Sequence, residues 1–263
     1  MNDFLCPAGM PIDLVLFGNS QTAQETRRLI QQVAITDLPL LLEGESGTGK
    51  ETAARWIHAQ SPFSQGNFVR LSSSALSIAE IEESESNFSC LSAIPSFEIE
   101  EALKGTLFLD EVEELSPTCQ SRLLAILQDR KFINPITSDG SAKDGRIISS
   151  ARIGTNHIEV KAALRPEFYY SVNAVTFRMP PLRERIDELP ALAEHFVAQM
   201  ANEFHMTIRP LSSSAIKTMV EYAWPGNLRE LRDIVTSYVL TGSEEMLIKK
   251  LTTTDGSSKI QAA

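Results

Sequence analysis

Apolar and polar positions fall into two regimes along this chain. Over the first two thirds, short apolar runs alternate with stretches of helical period. Residues 38–42, 68–71, 106–110, 146–151 and 175–177 are compact apolar or β-branched runs and read as strands. Before and between them, residues 20–34, 51–60 and 118–130 read as helices, with apolar side chains at helical spacing: Ala53, Ala54 and Ile57 in one, Leu123, Leu124, Ile126 and Leu127 in another. Strands alternating with helices predict a parallel sheet covered on both faces. After Pro180-Pro181 the pattern turns purely helical. Residues 187–204 carry Leu189, Leu192, Phe196, Met200 and Phe204, and helices over 213–221 and 227–239 follow, with Ser212 and Asn227 as caps. Residues 252–263 are small and polar and read as a frayed tail. The expected division is an α/β unit over 1–178, a helical unit over 179–251 and a flexible tail over 252–263.

Composition agrees with a globular chain. At 263 residues and 43% hydrophobic content, the protein can bury a full core. No apolar stretch is long enough to suggest a membrane span. Residues 1–10 have neither a basic start nor an apolar core, so no signal peptide is expected. Cys6, Cys90 and Cys119 are odd in number and widely spaced, which predicts no disulfide framework and a reducing cytoplasm. His58, His157, His195 and His205 lack metal-ligand spacing and read as surface or packing residues. The net charge of −10 opposes non-specific binding to duplex DNA.

The candidate chemistry begins where the first strand ends. Gly44-Glu45-Ser46-Gly47-Thr48-Gly49-Lys50 joins an apolar strand to a helix, the context a phosphate-binding loop requires. Its glycines let backbone N–H groups turn toward an anion, and the following helix start adds partial positive charge. Lys50 then supplies a point charge for terminal phosphates. Downstream, Gly105-Thr106-Leu107-Phe108-Leu109-Asp110-Glu111 is an apolar strand ending in two carboxylates. In phosphate-loop enzymes the Asp holds magnesium and the Glu polarises the attacking water. By itself such a run is commoner as a strand leading into an acidic helix cap; its place downstream of Lys50 makes it specific. Glu51 stands where a magnesium-binding Ser or Thr is usual, and Thr52 comes one residue late.

With Pro181-Leu182-Arg183-Glu184-Arg185 and Trp224-Pro225-Gly226-Asn227-Leu228-Arg229-Glu230-Leu231 added to these two motifs, the chain resembles the central AAA+ domain of bacterial sigma-54-dependent transcriptional activators. The likeness runs from about Phe17 to about Leu251. It implies an AAA+ P-loop fold with a four-helix lid, and ATP and Mg2+ as cofactors. Gly44, Glu45, Ser46, Gly47, Thr48, Gly49, Lys50, Glu51, Asp110 and Arg229 would bind the nucleotide, with Asp110 as the metal ligand. Glu111 and Arg165 would be catalytic. It also implies assembly into a ring with itself or a related activator, and sigma-54 RNA polymerase as the indirect partner.

Several positions depart from the family pattern. The family touches sigma-54 through a loop bearing Gly-Ala-Phe-Thr-Gly-Ala; residues 77–103 hold no such motif and read as a solvated acidic turn anchored by Phe88, Leu91, Ile94 and Phe97. Ser72 replaces an Asn that restrains the catalytic Glu. Ser150-Ala151-Arg152 replaces the sensor Ala-Thr-Asn. The segment presenting arginines to the neighbouring subunit keeps Arg165 but ends in Ser171, with Pro166 inserted in the turn. A lost arginine finger costs roughly 10³–10⁵ in rate in other phosphoryl-transfer systems. No helix-turn-helix follows the lid and no sensory domain precedes the loop, so direct DNA binding is not expected. Three functions compete: a degenerate or partner-dependent ATPase that regulates transcription, a non-hydrolysing nucleotide-dependent binding module, and a competent activator with a divergent contact loop.

Overall fold

The computed structural model describes residues 10–76, 96–129, 132, 145–153 and 160–253. The chain divides into two compact units, one of Thr26–Gly44 and Lys50–Arg178, the other of Met1–Glu25, Glu45–Gly49 and Met179–Ala263. Helices α1 (Ile12–Phe17) and α2 (Gln21–Ala34) lead into strand β1 (Leu40–Gly44), followed by α3 (Lys50–Ala59), β2 (Phe68–Ser72), α4 (Ser96–Glu101) and β3 (Thr106–Asp110). Then come α5 (Pro117–Asp129), β4 (Arg146–Arg152), α6 (Val160–Ala163), α7 (Pro166–Val172) and β5 (Val175–Arg178).

The five strands form one sheet in the order β2-β3-β4-β1-β5. Every pairing is parallel, with Leu40 opposite Ile148 and Val175, and Thr106 opposite Phe68 and Arg146. The continuous apolar runs explain this arrangement, because parallel strands covered on both faces need no alternation. Leu40, Leu41, Leu42, Leu107, Phe108 and Ile148 are all fully buried. One face packs Leu41, Leu107, Leu109 and Ile147 with Leu123 and Leu127 of α5 and Phe168 and Val172 of α7. β1 starts two residues later than its apolar run suggests. Pro39 has no N–H to give a ladder, and its carbonyl instead accepts from the amides of Ala174 and Val175.

Arg146 at the start of β4 is fully buried, and its two terminal nitrogens donate to the carbonyls of Ala34 and Val33 at 2.7 and 3.0 Å. A cation thus satisfies the buried C-terminal end of α2, whose last carbonyls lack helical partners. Burial pushes the Arg146 guanidinium down to about 10.

The second unit contains the all-helical part. A 3₁₀ turn over Leu182–Glu188 precedes α8 (Leu189–Glu203), α9 (Ser213–Glu221), α10 (Asn227–Thr241) and α11 (Glu244–Thr253). Its core joins Leu189, Leu192, Phe196 and Met200 to Met219, Trp224, Leu231, Val235 and Tyr238. Trp224 is wholly buried and satisfies its indole N–H on Met219 O at 2.8 Å. Ser212 caps α9 as expected, its hydroxyl accepting from the Ala215 amide. Asn227 does not cap α10: Gly226 holds that position, and the Asn227 side chain is used elsewhere. α8 begins at Leu189, two residues late, because Pro190 seats the first turn after the 3₁₀ segment. α11 extends into the expected tail as far as Thr253, and residues 254–263 lie outside the described residues. No described helix is long and apolar enough to cross a membrane.

Candidate functional site

The carboxyl ends of parallel strands are where α/β sheets gather chemistry, and the candidate residues of the sheet unit end their strands there. Gly44 lies opposite Arg152 and Ser72 opposite Asp110. Lys50 begins α3 and is 8% exposed. Its ammonium donates to Gly44 O at 2.8 Å. Burial lowers its pKa, while the charges of Glu113, Glu111 and Asp110 push it back up. A cation is thus held on the backbone oxygen where β1 turns into the loop, facing the acidic end of β3.

The acidic end is itself fully engaged. Asp110 Oδ2 accepts from Arg70 Nη2 at 2.6 Å and from Nε at 3.1 Å, and Oδ1 accepts the Ser150 hydroxyl at 2.6 Å. Glu111 sits in the left-handed region, at φ 58°, uncommon for a residue with a side chain. The Ser150 hydroxyl oxygen supports that turn by accepting the Glu111 amide at 3.0 Å. Arg152 Nη2 lies 2.9 Å from Glu111 Oε1, and the Arg152 amide donates to Glu113 Oε1 at 2.8 Å. These bonds hold Arg70 and Arg152 firmly protonated: each guanidinium pKa is raised, chiefly by the hydrogen bond to its carboxylate. Burial raises Glu113 and Glu43 instead.

Magnesium bound with a nucleotide draws on one or two carboxylates plus phosphate oxygens in near-octahedral order. Both oxygens of Asp110 are taken, and Glu51 binds Arg55 at 2.8 Å while facing Arg70 at 3.7 Å. Asp110 as the expected metal ligand therefore does not fit: a guanidinium already occupies its coordinating edge. Arg165, expected to be catalytic, is held on α5, its amide donating to Gln120 Oε1 at 2.8 Å and Nη1 to Ser121 Oγ at 2.7 Å. The Ser171 hydroxyl turns back onto Glu167 O at 2.7 Å.

Within the helical unit, the loop residues Glu45, Ser46, Gly47, Thr48 and Gly49 are clasped by the Pro181–Arg185 and Trp224–Leu231 motifs. Gly47 and Gly49 adopt φ of 80° and 92°. At Gly47 a side chain would also collide with Gly226 O, so glycine is required twice over. Asn227 Nδ2 donates to Ser46 O at 2.9 Å while its side-chain Oδ1 accepts the Leu182 amide at 2.8 Å. Arg183 Nη1 binds Glu45 Oε2 at 2.7 Å. The Arg229 amide donates to Gly47 O at 3.2 Å, and its Nη1 reaches Ser46 Oγ at 3.3 Å. Arg185 donates to the carbonyls of Leu14, Val15 and Leu16 at the end of α1 and pairs with Glu188 at 2.8 Å.

Arg70, Ser150, Arg183 and the loop role of Asn227 were not among the expected site residues. The last two lie inside recognised motifs, so the signal was present. Arg70 is one charged residue in a strand, and nothing local marks its partner.

Residues 16–178 match the Sigma-54 interaction domain and residues 183–259 the AAA+ ATPase lid domain. The chain is 35% identical over 237 residues to nitrogen fixation protein AnfA of Azotobacter vinelandii, covering 88% of this chain and 44% of that protein. It is 36% identical over 225 residues to the Nif-specific regulatory protein of Herbaspirillum seropedicae, covering 84% and 42%. The chain thus spans less than half the length of these curated relatives. Among solved structures, NtrX from Brucella abortus in complex with ATP superposes with a TM-score of 0.72 at 27% identity, covering 94% of this chain and 57% of that one. The AAA+ P-loop fold, the loop clasp and the matched domains together place this chain in the sigma-54 interaction domain family of transcriptional activators.

Proposed function

We propose that this chain binds ATP through Gly44, Glu45, Ser46, Gly47, Thr48, Gly49 and Lys50, and acts in transcription regulation as a weak or partner-dependent ATPase. The observation that carries the reading is the buried Lys50 ammonium, poised 2.8 Å from Gly44 O at the phosphate-loop turn. The relative NtrX from Brucella abortus, crystallised with ATP and with ADP, supports the choice of ligand. Arg229, bonded to Ser46, serves as the nucleotide-facing arginine of the helical unit. Glu51, engaged by Arg55 and beside Arg70, acts by orienting its cations and not as a phosphate ligand.

Glu111 is the residue proposed to activate water. Its ion pair with Arg152 competes with that task, because the guanidinium holds a carboxylate oxygen that a general base must turn toward the water. Turnover is therefore slow until the pair opens. The ring is the proposed setting for opening it, with a related activator or a second copy contributing arginines and Arg165 presented in return. Sigma-54 RNA polymerase is the indirect partner, reached through that assembly.

The same ion pair favours a second reading, in which the chain never hydrolyses ATP and the nucleotide only sets the shape of a binding surface. Phosphate release by the purified chain, alone and mixed with a full-length relative, separates them. Release that appears or rises on mixing, beyond what the relative yields by itself, supports the first reading. No release by the chain alone and none added on mixing supports the second. No thermal stabilisation by millimolar ATP would sink both.

A further inference from the structure

Arg70 stands where a divalent cation would be held. In phosphate-loop enzymes magnesium lies between the residue following the loop lysine and the Asp that ends the carboxylate strand. Here those residues are Glu51 and Asp110, and between them is the Arg70 guanidinium, at 3.7 Å from Glu51 Oε2 and 2.6 Å from Asp110 Oδ2. Its strand places it there. Arg70 lies opposite Phe108 on β3, two residues short of Asp110, and its long side chain runs along the ladder to reach that carboxylate.

The neighbouring carboxylate is neutralised in the same way, by Arg152 on Glu111. Lys50 adds a third cation whose charge couples to both. A divalent ion entering this cluster would have to break the Arg70–Asp110 pair before it reached that carboxylate. A phosphate needs no pair broken, because the guanidinium keeps donors to spare. Arg70 is 48% exposed, and its Asp110 contacts use the donors on Nε and Nη2 out of five N–H groups in a planar fork that matches phosphate oxygens.

We propose that the Arg70 guanidinium replaces the divalent cation, so that this chain binds a nucleoside triphosphate free of metal. The inference rests on the ATP-binding reading above and specifies the form of the ligand. It also supplies a cause for slow turnover independent of Glu111, since no metal bridges the phosphates during transfer.

The test is titration of the wild-type chain with ATP, followed by calorimetry, in excess EDTA and in excess magnesium. The affinity in EDTA is expected to equal or exceed that in magnesium. Arg70→Gln, at a half-exposed position, should bind about tenfold more weakly in EDTA, the loss of roughly one charge-assisted hydrogen bond, and recover in magnesium. A wild-type chain whose ATP binding drops tenfold or more in EDTA overturns the proposal, and these two arms need no variant. An Arg70→Gln chain that binds in EDTA as tightly as wild type overturns it also. Binding in neither arm overturns the nucleotide reading itself, and this proposal with it.

Discussion

Arg152 and Glu111 form an ion pair at 2.9 Å, and the arginine stands at the position where the family's sensor motif ends in Asn. An Asn there offers a neutral hydrogen bond to whatever lies across from it. A guanidinium instead captures the carboxylate that follows the neighbouring strand. Glu111 is only 30% exposed, so water screens the pair less than it would at an open surface.

Replacing Arg152 with Asn should release Glu111. ATP turnover by the pure chain is expected to rise at least about tenfold, a part of the 10²–10⁴ that a positioned acid or base contributes. The wild type should stay well below the ~1–100 s⁻¹ typical of kinases. A variant no faster than wild type would show that the pair is structural and that turnover is limited elsewhere.

Lys50→Ala removes a buried cation from the loop turn. Each hydrogen bond to a charged group is worth ~1.5–3 kcal/mol, or roughly 10- to 150-fold in affinity. The ATP-induced rise in melting temperature should shrink or vanish, because stabilisation follows ligand concentration over Kd. An unchanged shift would move the nucleotide site away from this loop.

Both of these expectations start from residues adjacent in sequence to recognisable motifs. The phosphate loop was legible because its chemistry is contiguous: strand, glycines, lysine and helix follow one another within a dozen positions. The engagement of Asp110 was not legible. Arg70 and Asp110 are 40 positions apart, and only the pairing of β2 with β3 brings them together.

In a purified system containing sigma-54 polymerase and ATP, this chain alone should form no open promoter complex. The sequence carries no Gly-Ala-Phe-Thr-Gly-Ala motif, and 77–95 of the segment in question lies outside the described residues. Permanganate footprinting of promoter thymines reports the outcome. Melted promoter with no other activator present would assign 77–103 as a divergent contact loop.

Acidification should weaken the fold through the buried imidazole of His195 and the partly buried one of His58. His195 is 5% exposed, and neither ring nitrogen has a hydrogen-bond partner among the described residues. Burial lowers its pKa below 6.5, and burial followed by the charges of Arg146 and Arg55 does the same to His58. The unfolded chain therefore binds protons first. Stability contributed by the neutral rings is present above pH 6.5 and is lost as pH falls through the depressed folded values. Each unit of depression is about 1.4 kcal/mol. Glu43 and Glu113, raised by burial, act in the opposite sense above 4.5, so the comparison that isolates the effect is wild type against His195→Leu. The melting temperature of the variant should fall less between pH 7 and pH 5; parallel curves would remove His195 as a cause.

By itself the sequence determined the five strands and the longer helices along the chain, the phosphate loop, the helical second part and the family. Those features are encoded by period and by short contiguous motifs, where each residue's neighbours in the chain are also its neighbours in space. The tertiary structure alone decided what the motif residues hold. Arg183 reaches Glu45 across 138 positions and Asn227 reaches Ser46 across 181, so an apparent helix cap serves as a clasp on the loop. It also decided which cation meets each carboxylate. Arg70 reads in sequence as an ordinary charged strand residue, and Arg152 only as a departure from the sensor motif. Parallel pairing of β2, β3 and β4 sets their side chains beside Asp110 and Glu111. Ion pairing depends on distance through space, and strand order, which no local pattern specifies, is what sets that distance here.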